Sequence, residues 1–125
     1  MVKKILLDTN FLLIPAQFKI DIFSEIDKLM LEKYQLFALD KVIEELKSIQ
    51  KNSKQSLKNR NAAKLALQLV KAKKVNIIKT KEDKPVDDII TALKGYIIAT
   101  QDIALKRRVN AKIITLRAKK KLIIL

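Results

Sequence analysis

Residues 5–10 read ILLDTN, an apolar run that ends at an aspartate followed by two further polar residues. Two other stretches share this character: residues 86–90, VDDII, and residues 96–102, YIIATQD. In each, acidic side chains adjoin residues of the kind that form a core. The chain carries a formal net charge of +14, so the position of acids beside core-forming residues requires an explanation. The simplest explanation is a divalent metal ion that the acids share, because such an ion replaces the repulsion between carboxylates by attraction to the metal.

The apolar runs predict a sheet whose strands alternate with helices. The predicted strands are 2–7, 35–39, 75–79, 96–100, 112–115 and, as an edge strand, 122–125. The predicted helices are 21–33, 40–50 with Asp40 as N-cap, 57–74, 85–94 with Pro85 at its first position, and 102–109. Pro15 is expected to break the apolar segment 11–15. The alternation favours an α/β fold with a parallel sheet and helices on both faces.

Ligands of such a sheet bind outside the carboxyl ends of the strands, near the point where the strand order reverses. Asp8 and Asp102 both follow predicted strands. They meet at that point only if their strands are neighbours, which the sequence alone leaves open.

Length and composition narrow the possible chemistry. The 125 residues suit one domain, and 49% hydrophobic residues argue against disorder. No apolar run approaches the roughly 18 residues of a membrane span, and no signal-peptide pattern is present, so we expect a cytoplasmic protein. The lack of Cys and His excludes disulfides, thiol nucleophiles, Cys/His zinc sites and an imidazole base.

The basic residues are unevenly distributed. Residues 46–81 contain eleven Lys or Arg and no acid, and residues 103–125 contain eight and no acid. Such stretches attract phosphate chains and release their counterions on binding. The alternative is an ordinary solvated, lysine-rich surface.

Two adjacent glutamates lie in the predicted helix 40–50. At about 100° per residue, one side of this helix forms an apolar stripe of Val42, Ile43, Leu46 and Ile49. Glu45 falls at the edge of the stripe and Glu44 falls opposite. We therefore predict that Glu45 faces inward beside the core, and that Glu44 is a solvated surface acid.

The same geometry places Asp87 nearer the apolar edge of its helix than Asp88. Both lie in a first helical turn, where the helix dipole favours anions in any case. Asp8 has the alternative role of a turn residue, and Asp102 that of an N-cap. Thr100 would share a side of an extended strand with Asp102, where its hydroxyl can orient a water or a ligand.

These residues, in this order, resemble the PIN domain family of metal-dependent ribonucleases. The resemblance rests on LLDTN at 6–10, Glu45-Leu46, the Asp-x-x-Ile of 87–90 and the Thr-x-Asp of 100–102. The stretch IATQD at 98–102, followed by LKRR at 105–108, is similar to the archaeal and eukaryotic group that includes small-subunit rRNA-processing nucleases. VapC-type toxins share the fold and the acids.

The resemblance implies a three-layer Rossmann-like fold forming a single PIN domain over residues 1–125. It also implies an endoribonuclease that uses one or two Mg²⁺ or Mn²⁺ ions. The catalytic, metal-holding residues carried over are Asp8, Glu45, Asp87 and Asp102. Ala104 stands where many relatives carry a further acid, so the number of ions stays open.

The remaining roles follow from this assignment. Thr9, Asn10 and Thr100 would orient ligands. Lys106, Arg107 and Arg108 would contact RNA phosphates, or else form a solvated helix end. Expected partners are RNA, a second copy in a homodimer, and an antitoxin or a pre-ribosomal protein, but no membrane. A VapC-like toxin and a catalytically silent RNA-binding scaffold are the alternatives.

Other phosphoryl chemistry fits the sequence less well. A response receiver needs an adjacent acid pair early in the chain, and Asp8 has no acidic neighbour. A haloacid-dehalogenase-like phosphatase needs Asp-x-Asp, and Asn10 stands at the second position. Charge alone would permit binding to an anionic membrane, but no segment combines a strong apolar face with a lysine-only polar face.

Overall fold

The computed structural model describes residues 2–125. Within this range, six strands form one sheet: β1 (Lys3–Leu7), β2 (Tyr34–Leu39), β3 (Asn76–Ile78), β4 (Ile97–Ala99), β5 (Ile113–Arg117) and β6 (Lys121–Ile124). The helices are α1 (Thr9–Leu12), α2 (Ile14–Phe18), α3 (Ile22–Leu29), α4 (Asp40–Lys51), α5 (Leu57–Ala72), α6 (Val86–Ala92) and α7 (Ile103–Arg108).

The strand order is β3-β2-β1-β4-β5-β6, and all pairs are parallel except the last, in which β6 runs antiparallel to β5. The chain moves outward from β1 through β2 to β3, then returns to the other side of β1 for β4. The order therefore reverses between β1 and β4, where Leu6 pairs with Ile98. A doubly wound sheet forms its ligand site at the carboxyl end of this pair.

The helices form two groups. α4 packs against α5, α1 against α4, and α2 against α5, while α6 packs against α7. Because crossovers between parallel strands are right-handed, the outward and return connections lie on opposite faces of the sheet. The predicted α/β class, a mostly parallel sheet with helices on both faces, is confirmed.

The core surrounds the central strand. Ile5, Leu6 and Leu7 are each 0% exposed, as expected for a strand covered on both faces. α3 contributes Ile22, Phe23 and Ile26 from one side of an amphipathic helix. This packing holds the carboxyl end of β1, and therefore Asp8, in a fixed place.

Several predicted helix ends differ from the structure. The break expected at Pro15 is present, since α1 ends at Leu12 and a new helix, α2, has Pro15 in its first turn, where its missing N–H has no helical partner to lose. Asp40 is the first residue of α4 rather than its N-cap, which is Leu39, and Pro85 is the N-cap of α6 rather than its first residue. α3 ends at Leu29, because the chain must turn back into β2.

One backbone conformation is glycine-specific. Gly95 has φ +85° between α6 and β4, in the left-handed region that side-chain-bearing residues rarely adopt. Across residues 2–125, the helices lack the combination of length and apolar character that a bilayer crossing requires.

Candidate active site

The site lies where β1 and β4 end side by side. Leu7 pairs with Ala99, and the backbone N–H of Asp8 donates to the carbonyl of Ala99 at 3.0 Å. The next residues along the two strands, Asp8 and Thr100, are joined by a hydrogen bond of 2.7 Å from the Thr100 hydroxyl to Asp8 Oδ2. The two strands are thus neighbours, and their carboxyl ends form one polar cluster.

Asp8 is the most buried acid of this cluster, at 6% exposure. Its Oδ1 accepts from the Thr9 backbone N–H at 2.9 Å, which caps α1. Burial raises the pKa of Asp8 above its usual range, the bonds from Thr100 and Thr9 act in the opposite direction, and the charges of Asp87 and Glu45 raise it further. Ionisation of the Asp8 carboxyl group in the folded protein therefore costs free energy, and a bound cation would lower that cost.

Thr100 organises the neighbouring loop. Its hydroxyl oxygen accepts from the Asp102 N–H at 3.1 Å and lies 3.3 Å from Asn10 Oδ1, which also accepts from the Gln101 N–H at 3.0 Å. Thr100 itself is 0% exposed. Thr100 and Asn10 therefore hold residues of both strand ends in place, and their role in orienting a ligand stays a prediction.

Asp102 caps α7 through one carboxylate oxygen. Its Oδ1 accepts from the Leu105 N–H at 3.2 Å. The N-cap role named as an alternative is therefore real. It does not compete with a ligand role, because a carboxylate has two oxygens and several lone pairs.

Glu45 reaches the cluster from α4. Its Oε2 accepts from the Thr9 hydroxyl at 3.1 Å. Glu45 rather than Glu44 is thus the glutamate directed at the cluster, as the helical wheel predicts, but Glu45 is exposed, as Glu44 is, and is not buried beside the core. The helical wheel ranks residues only by direction around α4, and the core below that helix is filled by Val42 and Leu46. The contact with Thr9, rather than burial, is what distinguishes Glu45.

α6 brings two further acids. Burial raises the pKa of Asp87, the charge of Asp102 raises it next, Arg108 lowers it, and Asp88 raises it slightly. Asp88 instead pairs with Arg108, whose Nη2 lies 2.7 Å from Asp88 Oδ1. Asp87 therefore faces the charge of Asp102, whereas Asp88 is neutralised by its own ion pair.

The basic residues Lys106, Arg107 and Arg108 form the last turn of α7. Arg108 is engaged with Asp88, Arg107 is exposed and Lys106 is half-buried. A phosphate contact by Arg108 would have to compete with the carboxylate of Asp88. The phosphate-binding role of these three residues stays a prediction.

The donor chemistry fits a hard divalent cation. Within residues 2–125, none of Asp8, Glu45, Asp87 and Asp102 forms an ion pair with Lys or Arg. Oxygen ligands of this kind are those that Mg²⁺ and Mn²⁺ prefer. However, across the same residues no three acidic side chains are gathered closely enough to hold a metal ion as they stand. The acids therefore surround one region of the carboxyl edge, and binding of a cation would require their side chains to move closer together.

Clefts occur at both ends of the strands. Two clefts, of about 930 and 540 Å³, lie at the edge of the sheet opposite the acids, beside the first residues of β1 and β2. A smaller cleft of about 270 Å³ lies at the carboxyl edge, between the end of β3 and α6.

Two features of this edge were missed in the sequence. Gln101 Oε1 accepts from the Thr115 hydroxyl and the Leu116 N–H, both at 2.7 Å, and so ties the β4–α7 loop to β5. Asp40 and Lys41 hold the β3–α6 loop. No local signal in the sequence predicts either, because both contacts depend on which strands are neighbours.

We expect Thr100→Val to lower the free energy of unfolding by about 1–3 kcal/mol. Valine is similar in volume, but it leaves Asp8 Oδ2 and the Asp102 N–H without their shared hydroxyl. Thr100→Ser keeps the hydroxyl and loses one methyl, so its cost is expected to be about 0.8 kcal/mol. Chemical denaturation measures both variants. A loss in Thr100→Val no greater than that in Thr100→Ser would show that the hydroxyl bonds contribute no more to stability than the methyl group does.

The chain is similar to known proteins over nearly its whole length. A family model described as a PIN like domain matches residues 5–119. No curated protein matches the sequence. The chain is similar to the solved structure of the PIN domain endonuclease Utp24, with a TM-score of 0.76, 25% identity, and coverage of 97% of this chain and 90% of that chain.

A second solved structure shows the fold alone. It is a domain of a functionally unknown protein from Methanocaldococcus jannaschii DSM 2661, with a TM-score of 0.52, 17% identity, and coverage of 99% of this chain and 98% of that chain. The family match, by contrast, spans nearly the whole sheet and includes Asp8, Glu45, Asp87 and Asp102. The chain therefore belongs to the PIN-like domain family.

Proposed function

We propose that this protein is a nuclease, and more specifically an endoribonuclease that cleaves RNA phosphodiester bonds with the help of carboxylate-bound Mg²⁺ or Mn²⁺. The observation that carries the proposal is the polar junction at the β1/β4 switch point, where the buried Asp8 bonds to Thr100, Thr100 bonds to the backbone of Asp102, and Glu45 reaches Thr9 from α4. Family membership and the similarity to a PIN domain endonuclease support the same activity.

In this proposal, each acid has a defined role. Asp8, Asp87 and Asp102 would hold the ion directly, and Glu45 would hold the ion or one of its waters. The bound ion supplies a Lewis acid that activates water and offsets negative charge on the phosphate. Thr100 and the Thr9 N–H hold the two oxygens of Asp8 in place, and Asn10 holds the loop that leads to Asp102.

The distribution of basic residues supports a nucleic acid as substrate. The acid-free stretch 46–81 includes α5 and β3, and the acid-free stretch 103–125 includes α7, β5 and β6. β3 forms one edge of the sheet and β5 and β6 the other, so basic segments flank the acids on both sides. Phosphates could follow this surface while one of them lies over the carboxylates.

A role in rRNA processing is the finer form of the proposal. It rests on residues 98–102 and 105–108, which resemble the rRNA-processing group within the family. The competing candidate is a catalytically silent RNA-binding scaffold. The observation in its favour is that, among residues 2–125, no three acids lie close enough together to hold a metal ion without rearrangement.

Cleavage of RNA, tested against DNA of the same sequence, distinguishes these candidates. The wild type with Mn²⁺ should cut RNA internally, and Asp102→Asn should not. Asn caps a helix as well as Asp does, so the variant should keep α7 intact. A scaffold would bind RNA equally well in both forms and cleave in neither, and cleavage undiminished in the variant would contradict the assigned role of Asp102.

A further inference from the structure

The first two residues of α4 are bonded to the loop that precedes α6. Asp40 Oδ2 accepts from the Thr80 N–H at 3.1 Å, and Asp40 Oδ1 accepts from the Thr80 hydroxyl at 2.8 Å. Lys41 Nζ donates to the carbonyls of Glu82 at 2.7 Å and Lys84 at 3.1 Å. Asp40 and Lys41 together, called here the α4 anchor, thus form four hydrogen bonds across the carboxyl edge of the sheet.

The anchored loop, residues 79–85, needs such bonds to keep one conformation. Its sequence is KTKEDKP, and all of these residues except Thr80 are exposed. A charged surface segment without apolar contacts is ordinarily the most mobile part of a domain. Each bond in the anchor has a charged partner, which makes it shorter and stronger than a bond between neutral groups.

The position of the anchor connects it to the site. Lys41 and Glu45 are four residues apart, and so lie one turn apart on the same side of α4. The anchored loop ends at Pro85, which caps α6, and Asp87 follows two residues later. One helix therefore carries Glu45 and also holds the segment that determines where Asp87 begins.

We propose that Lys41, together with Asp40, is a positioning residue that fixes Asp87 relative to Glu45 and Asp8. Lys41 does not touch the reacting atoms, and it acts through the loop. The inference rests on the proposed function, since positioning matters only if Asp87 holds the ion. A bond that merely stabilised the domain would affect overall stability without a specific effect on α6 or on turnover.

The test compares Lys41→Met with Lys33→Met. Both variants remove one positive charge, but only Lys41 bonds to the loop, and Lys33 is exposed at the opposite edge of the sheet, outside both acid-free stretches. Methionine keeps the unbranched stem and loses the donor. Thr80→Ser and Thr80→Val form a second pair, which keeps or removes the hydroxyl bond to Asp40.

Amide hydrogen exchange is the readout that does not depend on activity. In Lys41→Met and Thr80→Val, exchange of residues 80–88 should become faster, while exchange of β1 and β4 stays unchanged. In Lys33→Met and Thr80→Ser, residues 80–88 should exchange as in the wild type. Uniformly faster exchange over the whole domain, or no change at residues 80–88, would overturn the inference.

RNA cleavage gives the second readout. Lys41→Met should lower kcat by about 10-fold to 100-fold with little change in KM, the range seen when a residue that orients a metal ligand is lost. Lys33→Met should leave kcat unchanged. A wild type that cleaves RNA, combined with equal kcat values for the two variants, overturns the positioning role. A wild type that does not cleave RNA defeats the proposed function instead, and hydrogen exchange then still decides whether the anchor holds the loop.

Discussion

Asp8→Asn is expected to reduce the rate of RNA cleavage by about 10³-fold, which corresponds to about 4 kcal/mol of transition-state stabilisation. Asp8 is the most buried acid of the site and is central to it: Asp87 and Glu45 both act on its charge. An amide has one oxygen and no charge, so it is a much weaker ligand for a hard cation. Initial rates on a labelled RNA with Mn²⁺ measure the loss.

The variant is expected to remain folded. The new amide oxygen can accept from the Thr9 N–H, and the Thr100 hydroxyl can turn its proton toward Asn10 Oδ1, 3.3 Å away. The substitution also removes a buried charge whose ionisation is costly in the absence of a cation. Glu44→Gln is the matched control, because Glu44 is an exposed acid of α4. If Asp8→Asn cleaved RNA at the rate of Glu44→Gln, Asp8 would have no part in catalysis.

Removal of divalent cations is expected to abolish cleavage, and addition of Mn²⁺ to the chelated protein is expected to raise its melting temperature. The cation would relieve repulsion among ionised acids that lack cationic partners in residues 2–125. A ligand at 100 times its Kd stabilises the native state by about 2.7 kcal/mol. Asp87→Asn should show a smaller shift, since it lacks one of the ligands. NaCl at matched ionic strength is the control. An equal rise in melting temperature with NaCl would show that Mn²⁺ acts only by screening charge and not by binding at the site.

The Mn²⁺ effect should weaken as the pH falls. The pKa values of Asp8 and Asp87 are raised in the folded protein, each chiefly by burial. Between the unfolded and the raised folded pKa, the native state binds more protons than the unfolded chain, so rising pH costs stability until both acids are ionised. Protons therefore compete with the cation for Asp8 and Asp87 at pH values above the range in which aspartate usually titrates. A melting-temperature shift that is constant from neutral pH into that range would contradict binding at these acids.

Local patterns in the sequence were sufficient for the order of the six strands and the five longer helices, but they did not predict the short helices α1 and α2. The period of apolar residues distinguishes a buried strand such as β1 from an amphipathic helix such as α3. The predicted ends were less accurate. Asp40 has the chemistry of an N-cap, but its carboxylate bonds to Thr80, 40 residues away. A hydrogen-bond partner far away in the sequence can thus engage a side chain whose local propensity indicates an N-cap.

The sequence by itself determined which side chains are available for chemistry: carboxylates without histidine or cysteine, at the ends of apolar runs, in a strongly basic chain. Only the tertiary structure decided which of them meet. Asp8 and Thr100 are 92 residues apart and bond because β4 pairs with β1 in one register. Helical and strand periods arise from neighbours along the chain, whereas register and strand order arise from the packing of the whole core, which no short segment encodes.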